Sequence, residues 1–152
     1  MRILLIEDDI LKAARIIEYI SRRDAGHEIV HHRSYQSGLK SIQETVPDLI
    51  FLDMSIPTFD MGPTSREGRP RSMGGRDVMR KLVRRGINCV VVVVTQLETF
   101  GEGADAVTFE QLGQLCKTEF PDLFSGIVHY HATSSAWISE LDRILEWEVG
   151  SK

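Results

Sequence analysis

The chain alternates between short, mostly apolar runs and longer segments in which apolar residues recur at helical spacing. The apolar runs, predicted to be strands, lie at 3–6, 28–32, 49–53, 89–94 and 127–130. Runs that stay apolar at successive positions are typical of parallel strands covered on both faces. Because a helical segment follows each strand, the pattern predicts an α/β fold with a doubly wound, five-stranded parallel sheet of order 2-1-3-4-5.

The first helix is predicted from an apolar stripe that follows the first strand. The residues at helical spacing, expected to face the core, are Ile10, Ala13, Ala14, Ile17 and Ile20. Helix starts are marked by side chains that can accept a hydrogen bond from a free backbone amide. The predicted caps are Asp9, Ser34, Thr133 and Thr108, the last of which forms a capping box with Gln111.

Two connections are longer than this pattern requires. They span residues 54–75, rich in Gly, Pro, Ser and Arg, and residues 95–107. Loops of this length within one domain are usually functional, and both follow the carboxyl ends of strands, where open α/β sheets bind ligands. The other connections are short, so residues 1–149 are expected to form a single domain, with no output domain.

Composition narrows the class of protein. Of 152 residues, 42% are apolar, and 18 basic against 22 acidic residues give a net charge of -4, which argues against extensive contact with nucleic acid. No apolar run reaches the roughly 20 residues of a membrane span, and two cysteines cannot form a disulfide framework. Cys89 and Cys116 are therefore expected to be reduced, in a cytoplasmic protein that does not enter a membrane.

Polar side chains follow three of the predicted strands. Glu7 and Asp8 come after the first strand, Asp53 ends the third, and Thr95 ends the fourth. In the expected order these strands are neighbours, so the side chains should converge. Clustered carboxylates repel one another, and a hard cation such as Mg²⁺, which prefers oxygen ligands, relieves the repulsion. The pattern predicts one Mg²⁺ site, although each acid taken alone could simply cap a helix.

These segments resemble the receiver domain of two-component response regulators, which has a flavodoxin-like fold. The likeness lies in residues 3–8 and in residues 47–57, where Pro57 stands four positions after Asp53. Residues 91–95 are similar to the fourth strand of that family. The resemblance covers nearly the whole chain, and the segment around Asp53 is its most specific part.

The resemblance assigns a role to each polar residue at the strand ends. It implies that Asp53 is the phosphoacceptor, that Asp8 binds Mg²⁺ directly and that Glu7 binds it through water. Ser55 would offer its backbone carbonyl to the metal, and Thr95 would bind the phosphoryl group and act as the switch. A carboxylate can attack phosphorus when the donor is held in line, and transfer then depends mostly on positioning and charge neutralisation.

The family also implies a function and partners. The chain would be a stand-alone receiver that accepts a phosphoryl group from a sensor histidine kinase or a histidine phosphotransfer protein and signals by protein–protein contact. It would not be an enzyme beyond Mg²⁺-dependent self-phosphorylation from a phosphodonor. The alternative is a degenerate receiver, a binding module that keeps the fold and is not phosphorylated.

The end of the fifth strand departs from the family pattern. Receivers carry a lysine there, followed by proline, and here those places hold Tyr130 and His131. The simple interpretation is that the lysine is absent. Lys117 lies closer to the usual spacing from Thr95, but it falls on the fourth helix. A tyrosine hydroxyl can donate a hydrogen bond and carries no charge, so Tyr130 would be an atypical replacement.

Basic residues concentrate between residues 66 and 85, which hold eight basic and two acidic residues. A solvated loop and a charged helix face are the favoured interpretation. The sharper hypothesis is a patch that docks an acidic partner, formed by Arg66, Arg69, Arg71, Arg76, Arg80 and Arg84. Direct DNA binding is not expected, because no helix-turn-helix segment follows. The last helix, with Trp147 off its apolar stripe, could support a homodimer.

Overall fold

The structure, a computed structural model, describes residues 1–60 and 73–150. Seven strands are present in this part of the chain: β1 (Arg2–Ile6), β2 (Glu28–His32), β3 (Leu49–Leu52), β4 (Val90–Thr95), β5 (Thr99–Phe100), β6 (Val107–Thr108) and β7 (Phe124–His129). The helices that accompany them are α1 (Ile10–Arg23), α2 (Tyr35–Glu44), α3 (Gly74–Arg84), α4 (Phe109–Glu119) and α5 (Ala136–Gly150). A short 3-10 turn at Gly103–Asp105 separates β5 from β6.

One parallel sheet contains five of the strands, in the order β2-β1-β3-β4-β7. The strand β7 corresponds to the fifth strand predicted from the sequence. The observed order is therefore the predicted order 2-1-3-4-5, and the doubly wound α/β fold is confirmed. The register places Ile6 beside Leu52 and Leu52 beside Val93. The three central strands therefore end at one edge of the sheet, and the residues that follow them share that edge.

Helices cover both faces of the sheet and build two separate cores. Val91 and Val93 of β4 contribute to the core made with α2, α3 and α4, whereas Val92 and Val94 contribute to the core made with α1 and α5. Both kinds of position are buried, which explains why the central strands lack polar alternation. Within the described ranges, no helix has both the length and the apolar composition needed to cross a membrane.

Helix starts follow most of the predicted caps. The caps whose side chains accept from a backbone amide three residues on are Asp9, Ser34 and Thr108. The predicted cap at Thr133 is wrong: α5 begins at Ala136, whose amide donates to Ser134 Oγ at 3.2 Å. Several hydroxyl residues precede this helix, and local pattern alone does not choose among them.

The inward side of α1 differs from the predicted stripe. The buried residues of this helix are Lys12, Ala13, Ile16 and Ile20. Ile10 is instead 60% exposed, and Ala14 is also exposed. An apolar stripe assigns every lysine to solvent, but a lysine can be buried when its charge finds partners inside the protein. The rotation of α1 about its axis therefore follows Lys12 and not the apolar residues alone.

The connection predicted at residues 95–107 contains ordered elements. β5 and β6 pair antiparallel as a small hairpin, and Phe100 is buried in the core shared with α3 and α4. The Phe109 amide then donates to the Glu98 carbonyl at 2.9 Å, at the start of α4. Of the other long connection, residues 61–72 lie outside the described residues.

The start of α3 packs directly against the chain that follows β3. The helix begins at Gly74, inside the connection predicted at residues 54–75, and the Gly75 amide donates to the Met54 carbonyl at 2.9 Å. A Cβ atom on Gly75 would lie 2.8 Å from the Asp53 carbonyl oxygen and 3.0 Å from Met54 Cα. Close backbone approach therefore requires glycine at this position, and the contact holds the segment around Asp53.

Replacing Gly75 by Ala should destabilise the fold, although alanine favours a helix over glycine by about 1 kcal/mol. The added methyl group meets backbone atoms that cannot rotate away, and overpacking of this kind costs about 1–3 kcal/mol. Gly113→Ala is the matched control, because its Cβ would meet Ile127 at an ordinary 3.5 Å. Urea unfolding should show a loss for Gly75→Ala and none for Gly113→Ala; equal losses would contradict the close approach.

Candidate functional site

A cavity of about 340 Å³ opens at the edge where β1, β3 and β4 end. The residues that line it are Glu7, Asp8, Asp9, Asp53, Ser55, Gln96 and Leu97. The strand order brings these residues together, since the three strands are neighbours in the sheet. Sequence reasoning placed Glu7, Asp8, Asp53 and Ser55 in the site but did not include Gln96 and Leu97.

Glu7 is a buried acid of this cavity, 2% exposed. Its Oε1 forms an ion pair with Lys12 Nζ, and its Oε2 accepts a hydrogen bond from the Asp9 amide at 3.0 Å. Burial raises the pKa of Glu7 to about 7; the nearby Asp53 carboxylate adds to the rise, and the Lys12 ammonium opposes it. Both oxygens of Glu7 are therefore engaged within the protein.

Lys12, in the first turn of α1, brings an ammonium group to these acids and is itself 2% exposed. Its Nζ donates to the Val94 carbonyl at 2.8 Å, pairs with Glu7 and lies 3.5 Å from Asp53 Oδ1. A charge at this depth is tolerated only with partners of this kind. The ammonium thus joins the helix α1 to the ends of all three central strands.

Sequence reasoning missed Lys12 because it searched for a cation at the end of the last strand. The signal in the sequence that could have identified Lys12 is its position five residues after Glu7, in the first turn of the predicted helix. Long side chains on a helix point back toward its N-terminus, and α1 begins directly after the acids. A lysine in the first turn of such a helix can therefore reach the ends of the strands.

Asp53 and Asp8 face the cavity from neighbouring strands. The Asp53 side chain is 12% exposed, and its backbone amide donates to the Ile6 carbonyl at 3.0 Å. Asp8 Oδ1 accepts a hydrogen bond from Arg33 Nη2 at 3.3 Å, and the same nitrogen donates to the Asp8 carbonyl. Arg33, which follows β2, is a second cation of the site that sequence reasoning missed.

Ser55 lines the cavity, and Thr95 holds one of the residues at its wall. Thr95 is fully buried, and its Oγ1 accepts a hydrogen bond from the Leu97 amide at 3.2 Å. Ser55 Oγ is buried and has no hydrogen-bond partner among the residues that the structure describes. The two predicted hydroxyl residues therefore have different surroundings: Ser55 lines the cavity, whereas the Thr95 hydroxyl accepts from the amide of Leu97.

Known proteins share this fold and much of this sequence, although no family model matches the chain. It is 29% identical to the Detocs response regulatory protein DtcB of Enterobacter cloacae (strain JD6301) over 143 residues, 93% of this chain and 95% of that protein. The signal receiver domain of a Luxo repressor protein from Vibrio parahaemolyticus has a TM-score of 0.62 at 19% identity, covering 99% of this chain and 93% of that one. The Francisella response regulator 1452 receiver domain has a TM-score of 0.63 at 16% identity, covering 99% and 98%. The chain has the receiver fold of response regulators.

Tyr130 stands where the resemblance to receivers would place a lysine. It follows β7, is 2% exposed, and its amide donates to the Thr95 carbonyl at 2.8 Å. Its ring centroid lies 5.1 Å from that of Trp137 and 5.8 Å from Lys12 Nζ. Lys117, the other residue considered for the missing cation, is exposed on α4. Among the residues that the structure describes, the cation that lies against Asp53 is Lys12.

The arginines predicted as a docking patch are divided by the fold. Arg76 and Arg80 of α3 both form ion pairs with Glu119 of α4, whereas Arg84 is exposed. Glu119 therefore neutralises part of the charge that the sequence hypothesis assigned to a partner. The remaining members of the predicted patch, which lie outside the described residues, are Arg66, Arg69 and Arg71.

The cavity offers a hard cation two carboxylates. In the part of the chain that the structure describes, no three carboxylate, imidazole or thiol side chains stand close enough to hold a metal ion together, and both oxygens of Glu7 are engaged. Asp8, Asp53 and Ser55 nevertheless line one cavity. Mg²⁺ keeps several of its waters and is often bound through one or two carboxylates, so this set of donors fits it.

Glu7 should make stability depend on pH in one direction. Its pKa is about 7 in the folded protein against an ordinary 4.5, so its protonation stabilises the fold fully below about pH 4.5. That contribution is lost as the pH rises toward 7. Urea unfolding in EDTA should therefore show that the free energy of unfolding of the wild type, relative to that of Glu7→Gln, falls between about pH 4.5 and pH 7. Above about pH 7 this difference should become constant.

Glu44→Gln, which changes an exposed glutamate of α2, is the control for this measurement. Its stability should run parallel to that of the wild type across the same pH range. A wild-type advantage over Glu7→Gln that grows as the pH rises would show that Glu7 is stabilised as a carboxylate, contrary to the effect of burial.

Proposed function

We propose that this receiver accepts a phosphoryl group on Asp53, in a Mg²⁺-dependent reaction, from a sensor histidine kinase or a histidine phosphotransfer protein, and signals by protein–protein contact. The observation that carries the proposal is the setting of the Asp53 carboxylate. It lines an open cavity at the carboxyl edge of the sheet, with an ammonium group 3.5 Å away. The similarity to a protein named as a response regulatory protein supports the proposal.

The bonds that form and break involve only the Asp53 carboxylate and the donor. One carboxylate oxygen of Asp53 forms a bond to phosphorus while the bond from phosphorus to the donor's imidazole nitrogen breaks. That nitrogen keeps the electron pair of the broken bond. With acetyl phosphate as donor, the bond to the acetyl oxygen breaks instead and acetate leaves. Phosphoryl transfer of this kind depends mainly on alignment and on neutralising charge on the oxygens.

Four of the cavity residues, Asp8, Asp53, Ser55 and Glu7, have a part in that neutralisation. A bound Mg²⁺ would supply positive charge for the phosphoryl oxygens, held by Asp8, Asp53 and the Ser55 carbonyl. Glu7, which lines the cavity, forms an ion pair with the buried Lys12 ammonium beside Asp53. The contact of Glu7 with the metal through water, which the family resemblance implies, would add to its two present contacts, because each carboxylate oxygen can accept more than one hydrogen bond.

Exposed apolar side chains near the cavity offer a donor protein a contact surface. Ile10 and Leu11 of α1 are 60% and 77% exposed, and Leu97 at the cavity wall is 39% exposed. Clustered apolar side chains on a surface mark sites of protein contact. A phosphorylated imidazole must enter the cavity, so the donor protein would cover these residues.

Incubation with Mg²⁺ and acetyl phosphate should add one phosphoryl group to the wild-type protein, as measured by intact mass. Asp53→Asn keeps the size of the side chain and removes the nucleophilic carboxylate, so the gain should disappear. Asp9→Asn is the matched control. It changes another acid of the same cavity, and because asparagine caps helices about as well as aspartate, the gain should persist.

The same experiment separates the two functions. No gain from acetyl phosphate or from purified histidine kinases would favour a degenerate receiver that binds partners without being phosphorylated. The observation on the side of that alternative is that Lys12 and Arg33 already pair with the acids of the cavity. A gain that survives in Asp53→Asn would place the acceptor on another residue.

Asp8→Asn should weaken Mg²⁺ binding, because it removes one of the two carboxylates available to the metal. Loss of even an outer partner of a metal ligand costs roughly tenfold in affinity or more, and loss of the ligand itself should cost at least that. Isothermal titration calorimetry with Mg²⁺ measures the change, with Asp9→Asn as a control expected to match the wild type. An unchanged affinity in Asp8→Asn would remove Asp8 from the ligand set.

A further inference from the structure

We propose that Lys12, delivered by helix α1, is the residue that binds the phosphoryl group on Asp53, and that Tyr130 forms the wall beside it. The proposal, which rests on the proposed function of Asp53, names the cation that recognises the transferred group. Receivers place such a lysine at the end of the last strand of the sheet. In this chain a helix supplies the ammonium and the strand supplies an aromatic ring.

The Lys12 ammonium is near enough to the acceptor to meet the transferred group. Its Nζ lies 3.5 Å from Asp53 Oδ1. A phosphoryl group on Asp53 would add three acceptor oxygens and up to about two negative charges at this point. The other described cation that pairs with a cavity acid is Arg33, whose Nη2 is bonded to Asp8. Among the described residues, Lys12 is therefore the cation that faces Asp53.

The ammonium is already held in position in the unphosphorylated protein. Nζ donates to the Val94 carbonyl at 2.8 Å and pairs with Glu7, and Lys12 is 2% exposed. An ammonium has three N–H donors. Val94 and Glu7 take two of them, and the third is available to Asp53 before transfer and to a phosphoryl oxygen after it. Such a preorganised donor stabilises developing charge without a large rearrangement.

Tyr130 places an aromatic ring after β7, at the position where receivers carry the lysine. It is 2% exposed, and its ring centroid lies 5.8 Å from Lys12 Nζ and 5.1 Å from the centroid of the Trp137 ring. An aromatic ring at this distance attracts a cation. The helix-borne lysine and the strand-borne ring therefore complement each other.

Lys12→Met should change the binding of two probe ions in opposite directions. Loss of a positive charge near Asp53 should tighten the binding of Mg²⁺ by several-fold, because like charges no longer repel. It should weaken the binding of beryllofluoride, an anionic mimic of the phosphoryl group, by about tenfold or more at saturating Mg²⁺. Isothermal titration calorimetry measures both. General damage to the fold would weaken the binding of both ions. Affinities that change in opposite directions therefore identify an effect of charge.

Phosphorylation from acetyl phosphate supplies a second readout. The initial rate should fall by about tenfold or more in Lys12→Met. A lysine introduced from the strand side, in the double variant Lys12→Met/Tyr130→Lys, should recover part of that loss. A lysine that is only structural would not be rescued from another element of the fold. Lys40→Met, which removes an exposed lysine of α2, should match the wild type.

A further pair of variants protects the test against misfolding. Lys12→Met leaves the buried Glu7 without its cation, which can destabilise the protein. Glu7→Gln and Glu7→Gln/Lys12→Met differ only in Lys12 and contain no such unpaired acid. The second variant should bind beryllofluoride more weakly than the first by a similar factor.

The outcomes distinguish this inference from the proposed function. If the wild type is phosphorylated on Asp53 and Lys12→Met matches it in rate and in both affinities, Lys12 has no role at the phosphoryl group and only this inference fails. No recovery in the double variant would overturn the exchange of places with Tyr130. If the wild type gains no phosphoryl group, the proposed function fails, and the two ion affinities still report whether Lys12 acts on the Asp53 cavity.

Discussion

The site depends on the interactions of the buried Lys12 ammonium with the acids at the carboxyl edge of the sheet. The parallel strands β1 and β3 deliver Glu7 and Asp53 to one edge of the sheet, and carboxylates brought together there repel each other. Lys12 offsets this repulsion by pairing with Glu7, lying 3.5 Å from Asp53 and donating to the Val94 carbonyl. To place the ammonium there, α1 turns Lys12 inward and leaves Ile10 on the surface.

Close packing then holds the acceptor segment in place. The Asp53 amide donates a hydrogen bond to the Ile6 carbonyl of β1. Gly75, at the start of α3, lies so close to the Asp53 carbonyl that a Cβ atom would not fit between them. Farther along α3, Arg76 pairs with Glu119 of α4. The charged face of α3, which the sequence suggested as a docking surface, therefore serves in part to hold α3 against α4 through its ion pairs with Glu119.

Local patterns predicted the elements well because their causes are local. The valine run of β4, the capping box at Thr108 and the helix start after Asp9 follow from neighbouring residues. Gly75 shows where this reasoning stops. The sequence pattern placed Gly75 in a connection, whereas it lies in α3 and its lack of a side chain allows the close approach of the Asp53 carbonyl from another element. The predicted cap at Thr133 failed because nearby hydroxyl residues are locally equivalent.

The sequence by itself determined the alternation of strands and helices, the order of the parallel sheet and the acids at its carboxyl edge. Only the tertiary structure decided which cations meet those acids. Lys12 and the Val94 carbonyl that it binds are 82 positions apart. Arg33, at the end of β2, binds Asp8, which follows the neighbouring strand β1. The physical reason is that burying a charge depends on partners gathered from distant segments. The rotation of α1 that buries Lys12 is set by those partners, and no local periodicity contains them.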